Sequence, residues 1–343
     1  MRSLKKQIRF LTDIQRLVAD GQFVATYKYA LLLALADLAV EGKVGADDSL
    51  STRLIAEKFI QYYWRQSIPY PRHRLLLRQN TGRQAEIIAH LEQVRRTSGV
   101  SLSALKAEDR RWSRLVSAVE RTVIKMPLWK LQTIGREQME FLYTRHPDAH
   151  RITLQPGVGY CLRKFHPLIA DIIRGAWVRY IRRVNEGVFG AASDLHSFLF
   201  GAERSNLAQI TPVLEELQNG RCFYCPQSLR RDSTQVDHFI PWVRYPVDLV
   251  HNFVLAHNSC NSNKSDHIAA VDHLEKWVLR NQQHGVLLDQ TFRRRNFVCD
   301  LPAIQQVAKW AYSQTAESGG LTWRCNNEMV PLEDSWRGLL RRF

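Results

Sequence analysis

Four potential metal ligands occur as two short pairs in the second half of the chain. Cys222 and Cys225 are separated by two residues, and His257 and Cys260 later repeat that spacing. Three thiols and one imidazole are a donor set typical of tetrahedral zinc, and two such pairs are a stronger signal than one. Four protein ligands leave no open position, so the sequence predicts a structural Zn²⁺ that stabilises a small module. The alternative is a group of buried cysteines without a metal.

A second set of residues lies between and just after these pairs. Asp237 offers a carboxylate oxygen and Asn261 an amide oxygen, which are hard ligands suited to Mg²⁺ or Mn²⁺ rather than to zinc. His238, next to Asp237, can take a proton from water near neutral pH. A divalent cation beside a histidine base is sufficient for phosphodiester hydrolysis.

The segment Gly220–Ile268 resembles the HNH, or ββα-metal, nucleases. It contains C-x2-C, an Asp-His pair, an Asn before an apolar strand and C-N-x-x-K in the order of that family. The resemblance implies that His238 is the general base and that Asp237 and Asn261 bind the catalytic Mg²⁺ or Mn²⁺. It implies that Asn252 holds the loop between two strands and orients the base. The products would carry a 5′ phosphate and a 3′ hydroxyl.

The same resemblance implies a fold for this segment. Val236–Ile240 and Phe253–Ala256 would form an antiparallel hairpin, with a helix that opens near Asn258–Ser262. Two positions depart from the family pattern: His257 stands where many zinc-bearing members have cysteine, and Asn261 stands where some members have histidine. Both residues retain the ability to bind a metal.

Basic residues near the motif are candidates for nucleic-acid contacts. Lys264 is predicted to contact the scissile phosphate, the alternative being an exposed position on its helix. Arg293, Arg294 and Arg295 form a basic cluster flanked by two phenylalanines. Two interpretations of this cluster stay open: a phosphate-contacting loop, or a surface loop anchored by its aromatic side chains.

Composition agrees with a polyanionic partner. The chain has 343 residues, a formal net charge of +15 and a pI of about 9.8, which indicate attraction to a polyanion, either nucleic acid or an anionic membrane surface. Together with the family resemblance, this predicts DNA as the partner, with RNA as an alternative substrate. Three of the six cysteines belong to the zinc set and the others are scattered, so a disulfide framework is not expected. This cysteine usage predicts a location in the reducing cytoplasm. The apolar run Tyr29–Val40 is too short to span a bilayer and predicts a buried helix, so no membrane partner is expected.

The predicted fold class is α+β. Residues 1–190 are predicted to form a mostly helical basic region that binds DNA or a partner, and residues 191–343 are predicted to form the HNH domain, with its core at 220–268 and a C-terminal extension. Glu186–Ser193 is the predicted linker. The remaining predicted elements are helices over Ser51–Arg65, Arg83–Arg96, Ser101–Ile124, Pro167–Val184, Leu195–Phe200, Asn206–Gln218, Ile268–Asn281 and Pro302–Ser313, and a β-hairpin of Arg151–Gln155 with Gly159–Phe165.

The leading functional prediction is a metal-dependent DNA endonuclease, a monomer or homodimer, that acts in bacterial defence or restriction. The first alternative is a non-catalytic zinc finger, which has no use for the Asp237-His238 pair or for Asn261. The second is an effector nuclease that is inactive without other defence-system proteins. It draws on the stretch TYKYALLLALADLAVE, which resembles the N-terminal part of some bacterial HNH proteins of anti-phage defence.

Overall fold

A computed structural model describes most of the chain in two compact units. They are Met1–Gly201, here the N-terminal unit, and Ala202–Phe343, here the C-terminal unit. The predicted linker Glu186–Ser193 lies partly outside the described residues, as do the first residues of the predicted helices Arg83–Arg96, Ser101–Ile124 and Asn206–Gln218. The described residues are 4–20, 25–71, 74–82, 84–98, 102–134, 137–148, 150–189, 194–201, 210–246, 248–295 and 297–343.

The N-terminal unit is predominantly helical. Its helices are α1 (Leu4–Asp20), α2 (Tyr27–Val40), α3 (Thr52–Gln66), α4 (Glu86–Ser98), α5 (Leu102–Ala107), α6 (Asp109–Lys125), α7 (Pro127–Lys130), α8 (Val158–Lys164), α9 (His166–Val184) and α10 (Leu195–Phe200). Its strands are β1 (Ser49–Ser51), β2 (Thr133–Ile134), β3 (Glu137–Gln138), β4 (Tyr143–Arg145) and β5 (Arg151–Leu154). The strand order β1-β5-β4 is antiparallel, and β2 pairs with β3.

Helix α2 is the centre of this unit. Its side chains from Lys28 to Val40 are buried, because the helix is apolar on every side and packs against α3, α8 and α9. Its one buried carboxylate, Asp37, is bonded to His166 at 2.7 Å and to the hydroxyl of Tyr62 at 2.7 Å. These bonds compensate the cost of placing a charge inside the core.

Two predicted elements of this unit are wrong. The predicted hairpin Arg151–Gln155 with Gly159–Phe165 is a strand followed by a helix: β5 pairs with β1 and β4, and α8 begins after Gly157, whose φ is 82°. The buried residues of α8 recur at helical spacing, and that period outweighs strand propensity. The predicted helix Ser101–Ile124 is two helices, α5 and α6, interrupted at Glu108, where φ is −93° and ψ is 79°.

The C-terminal unit contains two small hairpins and several helices. The helices are α11 (Thr211–Leu217), α12 (Asn258–Lys264), α13 (Val271–Arg294), α14 (Leu301–Glu317) and α15 (Trp336–Arg342). The strands are β6 (Thr234–His238), β7 (Phe253–His257), β8 (Leu321–Cys325) and β9 (Glu328–Pro331), and each pair is antiparallel. The described residues thus confirm the predicted α+β class, with the hairpin β6–β7 followed directly by α12.

Helix α13 extends well beyond its predicted end at Asn281. It continues to Arg294, so the basic cluster predicted as a loop lies at the C-terminal end of a helix. Phe292 and Phe297 are both buried there, with ring centroids 5.6 Å apart. Burial of this aromatic pair stabilises the last turn of α13, where the run of three arginines had been predicted as a loop. Among the described helices, none is long and apolar enough to cross a membrane.

Candidate active site and metal centre

The four predicted zinc ligands come together in the C-terminal unit. The ligand atoms of Cys222, Cys225, His257 and Cys260 all lie within 4.8 Å of one another. Cys225 Sγ is 3.2 Å from His257 Nδ1. A tetrahedral ion with Zn–S bonds of about 2.3 Å separates its ligand atoms by roughly 3.5–3.8 Å, so the donor set and its size fit a zinc ion.

The surroundings of the cluster orient its ligands. His257 Nε2 lies 3.1 Å from the carbonyl oxygen of Ser228, a contact that leaves Nδ1 for the metal. The backbone N–H of His257 donates to Cys222 Sγ at 3.4 Å. Burial, together with the neighbouring thiols, raises the pKa of Cys260 to about 12. A divalent cation reverses this effect, because it favours the thiolate.

The hairpin β6–β7 places the Asp-His pair opposite the second strand. Asp237 pairs with Val254 and His238 with Phe253. The side chain of Asn252 donates to the carbonyl oxygen of Ile240 at 2.9 Å and accepts from its N–H at 2.8 Å. These two bonds join the ends of the loop that connects the strands, directly after His238.

Asp237 is almost completely buried and has two partners on one oxygen. Its Oδ2 accepts from the hydroxyl of Tyr224 at 2.5 Å and lies 3.0 Å from Lys264 Nζ. Burial, followed by the charge of Asp237, raises the pKa of Tyr224 well above its usual value, so the phenol stays protonated and donates. Because both partners use Oδ2, Oδ1 is the oxygen that remains for a cation.

Lys264 does not have the exposed position that phosphate contact requires. Its side chain is completely buried, and Nζ donates to the carbonyl oxygen of His238 at 2.9 Å in addition to its ion pair with Asp237. A buried ammonium needs such partners to offset its desolvation. The lysine therefore ties α12 to β6, and the predicted phosphate contact is corrected to a structural ion pair.

Asn261 lies on the side of α12 that faces β6. Its Nδ2 donates to Gln235 Oε1 at 3.0 Å. Residues 235 and 237 point to the same face of the strand, so Asn261 shares a face with Asp237. The amide nitrogen is used in this bond, and the amide oxygen is the atom suited to a hard cation.

His238 has a partner that sequence reasoning missed. Its Nε2 lies 2.8 Å from Asp248 Oδ1, and its ring packs against Trp242 and Phe253 with centroid distances of 5.2 and 5.0 Å. His238 is the last residue of β6, so its ring contacts both its partner on the opposite strand, Phe253, and the loop that follows. The available signal was a carboxylate inside the loop that Asn252 holds.

Helix α13 supplies further contacts that sequence reasoning missed. The side chains of Trp277, Arg280 and Asn281 all donate to the carbonyl oxygen of His251, at 2.9, 2.6 and 3.2 Å. Arg280 also donates to the carbonyl oxygen of Phe253 at 2.5 Å. These bonds fix the backbone on both sides of Asn252 and thereby position the loop.

The predicted basic cluster is only partly described. Arg293 is exposed and forms an ion pair of 3.4 Å with a carboxylate one turn earlier in α13. The backbone N–H of Arg295 donates to the carbonyl oxygen of Phe292 and closes the helix. The side chain of Arg294 lies outside the described part. Contact of these arginines with nucleic acid stays a prediction.

Comparison with known families identifies both parts of the chain. Residues 222–270 match the family model of the HNH endonucleases, which confirms the predicted resemblance and indicates a nuclease. Residues 7–199 match the model described as a domain of unknown function (DUF8808), and this match spans more than half of the chain. The chain therefore belongs to the DUF8808 family and carries an HNH endonuclease segment in its C-terminal unit. Neither the curated proteins nor the solved structures gave a match.

Proposed function

We propose that the chain is a metal-dependent endonuclease that hydrolyses DNA phosphodiester bonds at the hairpin β6–β7. The observation that carries this proposal is the imidazole of His238, bonded to Asp248 within the segment that matches HNH endonucleases. A carboxylate bonded to one ring nitrogen fixes the tautomer and the orientation of the imidazole, so that the other nitrogen is placed to accept a proton.

His238 is the proposed general base. When Nε2–H donates to Asp248, the lone pair of the neutral ring is on Nδ1, and this atom takes the proton from the attacking water. Asp248 is a positioning residue that holds the tautomer and the ring. Asn252 positions the loop through its two bonds to Ile240.

Asp237 and Asn261 are the proposed ligands of Mg²⁺ or Mn²⁺. They contribute two hard oxygen atoms on one face of the hairpin, while Tyr224 and Lys264 occupy the other oxygen of Asp237. A bound divalent cation supplies charge neutralisation at the phosphate and at the departing 3′ oxygen. One such site cuts one strand, so a double-strand break requires two chains or two binding events.

The test is cleavage of supercoiled plasmid by the zinc-loaded chain with Mg²⁺, with Mn²⁺ or with neither. His238→Ala is expected to lower the rate by about 10²–10⁴-fold, the usual effect of removing a general base. Asp248→Asn is expected to lower it by roughly 10–100-fold, since it removes only the orienting carboxylate. His267→Ala is the matched control, because this nearby histidine is exposed.

Equal cleavage by wild type and His238→Ala would refute the proposed base. Cleavage that persists without added Mg²⁺ or Mn²⁺, while zinc is retained, would refute the proposed ligand pair. The ratio of nicked to linear product then distinguishes single-strand from double-strand cutting.

One observation favours a second candidate, a non-catalytic nucleic-acid-binding module. Lys264 and Tyr224 satisfy Asp237, and Gln235 bonds to Asn261, so these polar groups have partners without a divalent cation. Under this alternative the chain binds DNA but does not cut it under any metal condition, and His238→Ala leaves DNA binding unchanged.

The biological role is a further part of the proposal. The likeness of TYKYALLLALADLAVE to bacterial defence proteins supports an effector nuclease in anti-phage defence or restriction, which can require partner proteins for activity. Plating of phage on bacteria that express the chain tests this role. Protection by wild type but not by His238→Ala is expected, and equal plating on both would exclude defence by cleavage.

A further inference from the structure

The positive charge of the chain is concentrated in one unit. Residues 1–201 contain 32 lysines and arginines against 18 aspartates and glutamates, whereas residues 202–343 contain 16 against 15. The N-terminal unit therefore carries nearly all of the net charge of +15, although the segment that matches the endonucleases lies in the other unit. Attraction to a polyanion follows from the unit with the excess of cations.

Helix α6 carries part of this charge as a stripe. Arg110, Arg114 and Arg121, with Ser113 and Ser117, line a shallow open depression. Residues separated by four, seven and eleven positions lie on one side of an α-helix. At a rise of about 1.5 Å per residue, the three arginines extend over roughly 16 Å. Below, these five residues are called the α6 stripe.

The cations of the stripe are not neutralised by their own helix. The acidic residues of α6 and of its N-cap are Glu108, Asp109 and Glu120. Glu108 pairs with Arg111 at 2.8 Å, Glu120 is buried and accepts from Thr52 at 2.6 Å, and Asp109 is exposed at the first position of the helix. Across the described residues, no carboxylate lies within ion-pair distance of Arg110, Arg114 or Arg121. Arg53 of α3 donates to Ser113 at 3.3 Å and has its own partner on α3.

The opposite face of α6 is already used. Leu115, Val116, Val119 and Val123 are buried, and α6 packs against α3. Insertion of an amphipathic helix into a lipid surface requires a free apolar face, which α6 does not have. What remains for a partner is a row of guanidinium and hydroxyl groups on one side of the helix, which are donors suited to phosphate oxygens.

We propose that the α6 stripe binds the phosphodiester backbone of duplex DNA without reading its sequence. Its side chains are arginine and serine, so it has no aromatic surface on which unpaired bases stack, and single strands are less favoured. The assignment rests on the proposed function insofar as the nuclease substrate is nucleic acid. Under this proposal, the domain of unknown function at residues 7–199 binds the DNA substrate.

The experiment measures DNA binding by the full chain carrying His238→Ala, with fluorescence anisotropy of a labelled duplex at several salt concentrations. The stripe variant combines Arg110→Gln, Arg114→Gln and Arg121→Gln. The matched control combines Arg96→Gln, Arg111→Gln and Arg151→Gln, which remove the same charge from arginines that already pair with carboxylates.

We expect the stripe variant to reduce the slope of log K against log salt by about three, one for each lost phosphate contact. Its Kd should rise by at least about tenfold at low salt, while the control changes the slope by less than about one. Equal changes in the two variants would overturn the proposal, since net charge alone would then explain binding. A stripe effect seen only with single-stranded DNA or RNA would overturn the duplex assignment.

Plasmid cleavage by chains with intact His238 is measured separately. DNA binding by the stripe variant and its control tests only the role of the α6 stripe. Equal cleavage by wild type and His238→Ala would refute only the proposed base. The two proposals therefore fail in distinguishable ways.

Discussion

The two units of this chain use charged residues in different ways. In the N-terminal unit, lysines and arginines outnumber aspartates and glutamates by 32 to 18. The arginines of the α6 stripe lie on the surface, and the other side of α6 packs against the apolar core of the unit. In the C-terminal unit the numbers are 16 and 15, and its key charges point inward, such as Lys264 on Asp237. An outward row of cations favours binding over a wide surface, whereas inward pairs fix individual atoms in place.

Under the proposed function, this difference assigns substrate binding to the N-terminal unit and catalysis to the C-terminal unit. Hydrolysis requires a base and metal ligands that are held at fixed positions. The two hydrogen bonds between the side chain of Asn252 and the backbone of Ile240 hold the loop next to His238 in this way. Binding of a backbone requires only a properly spaced positive surface. The proposed nuclease thus obtains its affinity from the N-terminal unit and its reactive groups from the C-terminal unit.

The largest effect should come from the zinc centre. Cys260→Ser removes one of the four ligands, and structural zinc contributes about 10–16 kcal/mol in small zinc modules. We expect loss of bound zinc and protease sensitivity confined to residues 202–343, with residues 1–201 still folded. Metal analysis and limited proteolysis measure both effects, and Cys325→Ser, at an exposed free cysteine, is the control.

Retention of one equivalent of zinc by Cys260→Ser would contradict the ligand assignment. Simultaneous unfolding of both units would instead contradict the treatment of the two units as independent, because each would then depend on the other for stability.

The next largest effect should come from the buried ion pair. Lys264→Met leaves Asp237 without its cation in a buried position, which typically costs about 3–5 kcal/mol. Urea unfolding of the zinc-loaded chain measures this change. Lys276→Met, at an exposed lysine of α13, is the control. An unfolding free energy equal to that of the control would mean that Lys264 is not structural and would restore its predicted role at the phosphate.

A smaller effect is expected from the buried carboxylate of the N-terminal unit. Burial acts to raise the pKa of Asp37, but the bond to His166 and the charge of Lys58 together lower it from 3.8 to about 2. A carboxyl whose pKa is lower in the folded than in the unfolded chain adds stability above its unfolded pKa. That contribution, roughly 2 kcal/mol, is lost as the pH falls from about 4 to about 2.

Asp37→Asn should therefore weaken the dependence of stability on pH in this window. Hydrogen exchange of peptides from α2 between pH 2 and 5 measures the effect in this unit alone. Asp171→Asn, at an exposed position of α9, is the control and should keep the wild-type dependence. An unchanged dependence in Asp37→Asn would show that another group controls acid unfolding.

The sequence by itself determined the features that depend on residue type and local spacing. The pairs Cys222–Cys225 and His257–Cys260 defined the metal cluster, because a ligand set is a matter of donor chemistry. The hairpin β6–β7 and the helix after it were predicted through the resemblance to the HNH family that the motif carries. The buried helix α2 followed from a run that is apolar on every side.

Other features were decided by tertiary contacts between residues distant in the chain. Lys264 has the sequence context of a phosphate ligand, yet packing of α12 on β6 buries it against Asp237. Asp248 becomes the partner of His238 only when the loop closes, and α8 forms where a second strand was predicted. Local spacing cannot determine such outcomes, because the free energy of a buried charge or of a turn depends on the groups that folding brings next to it.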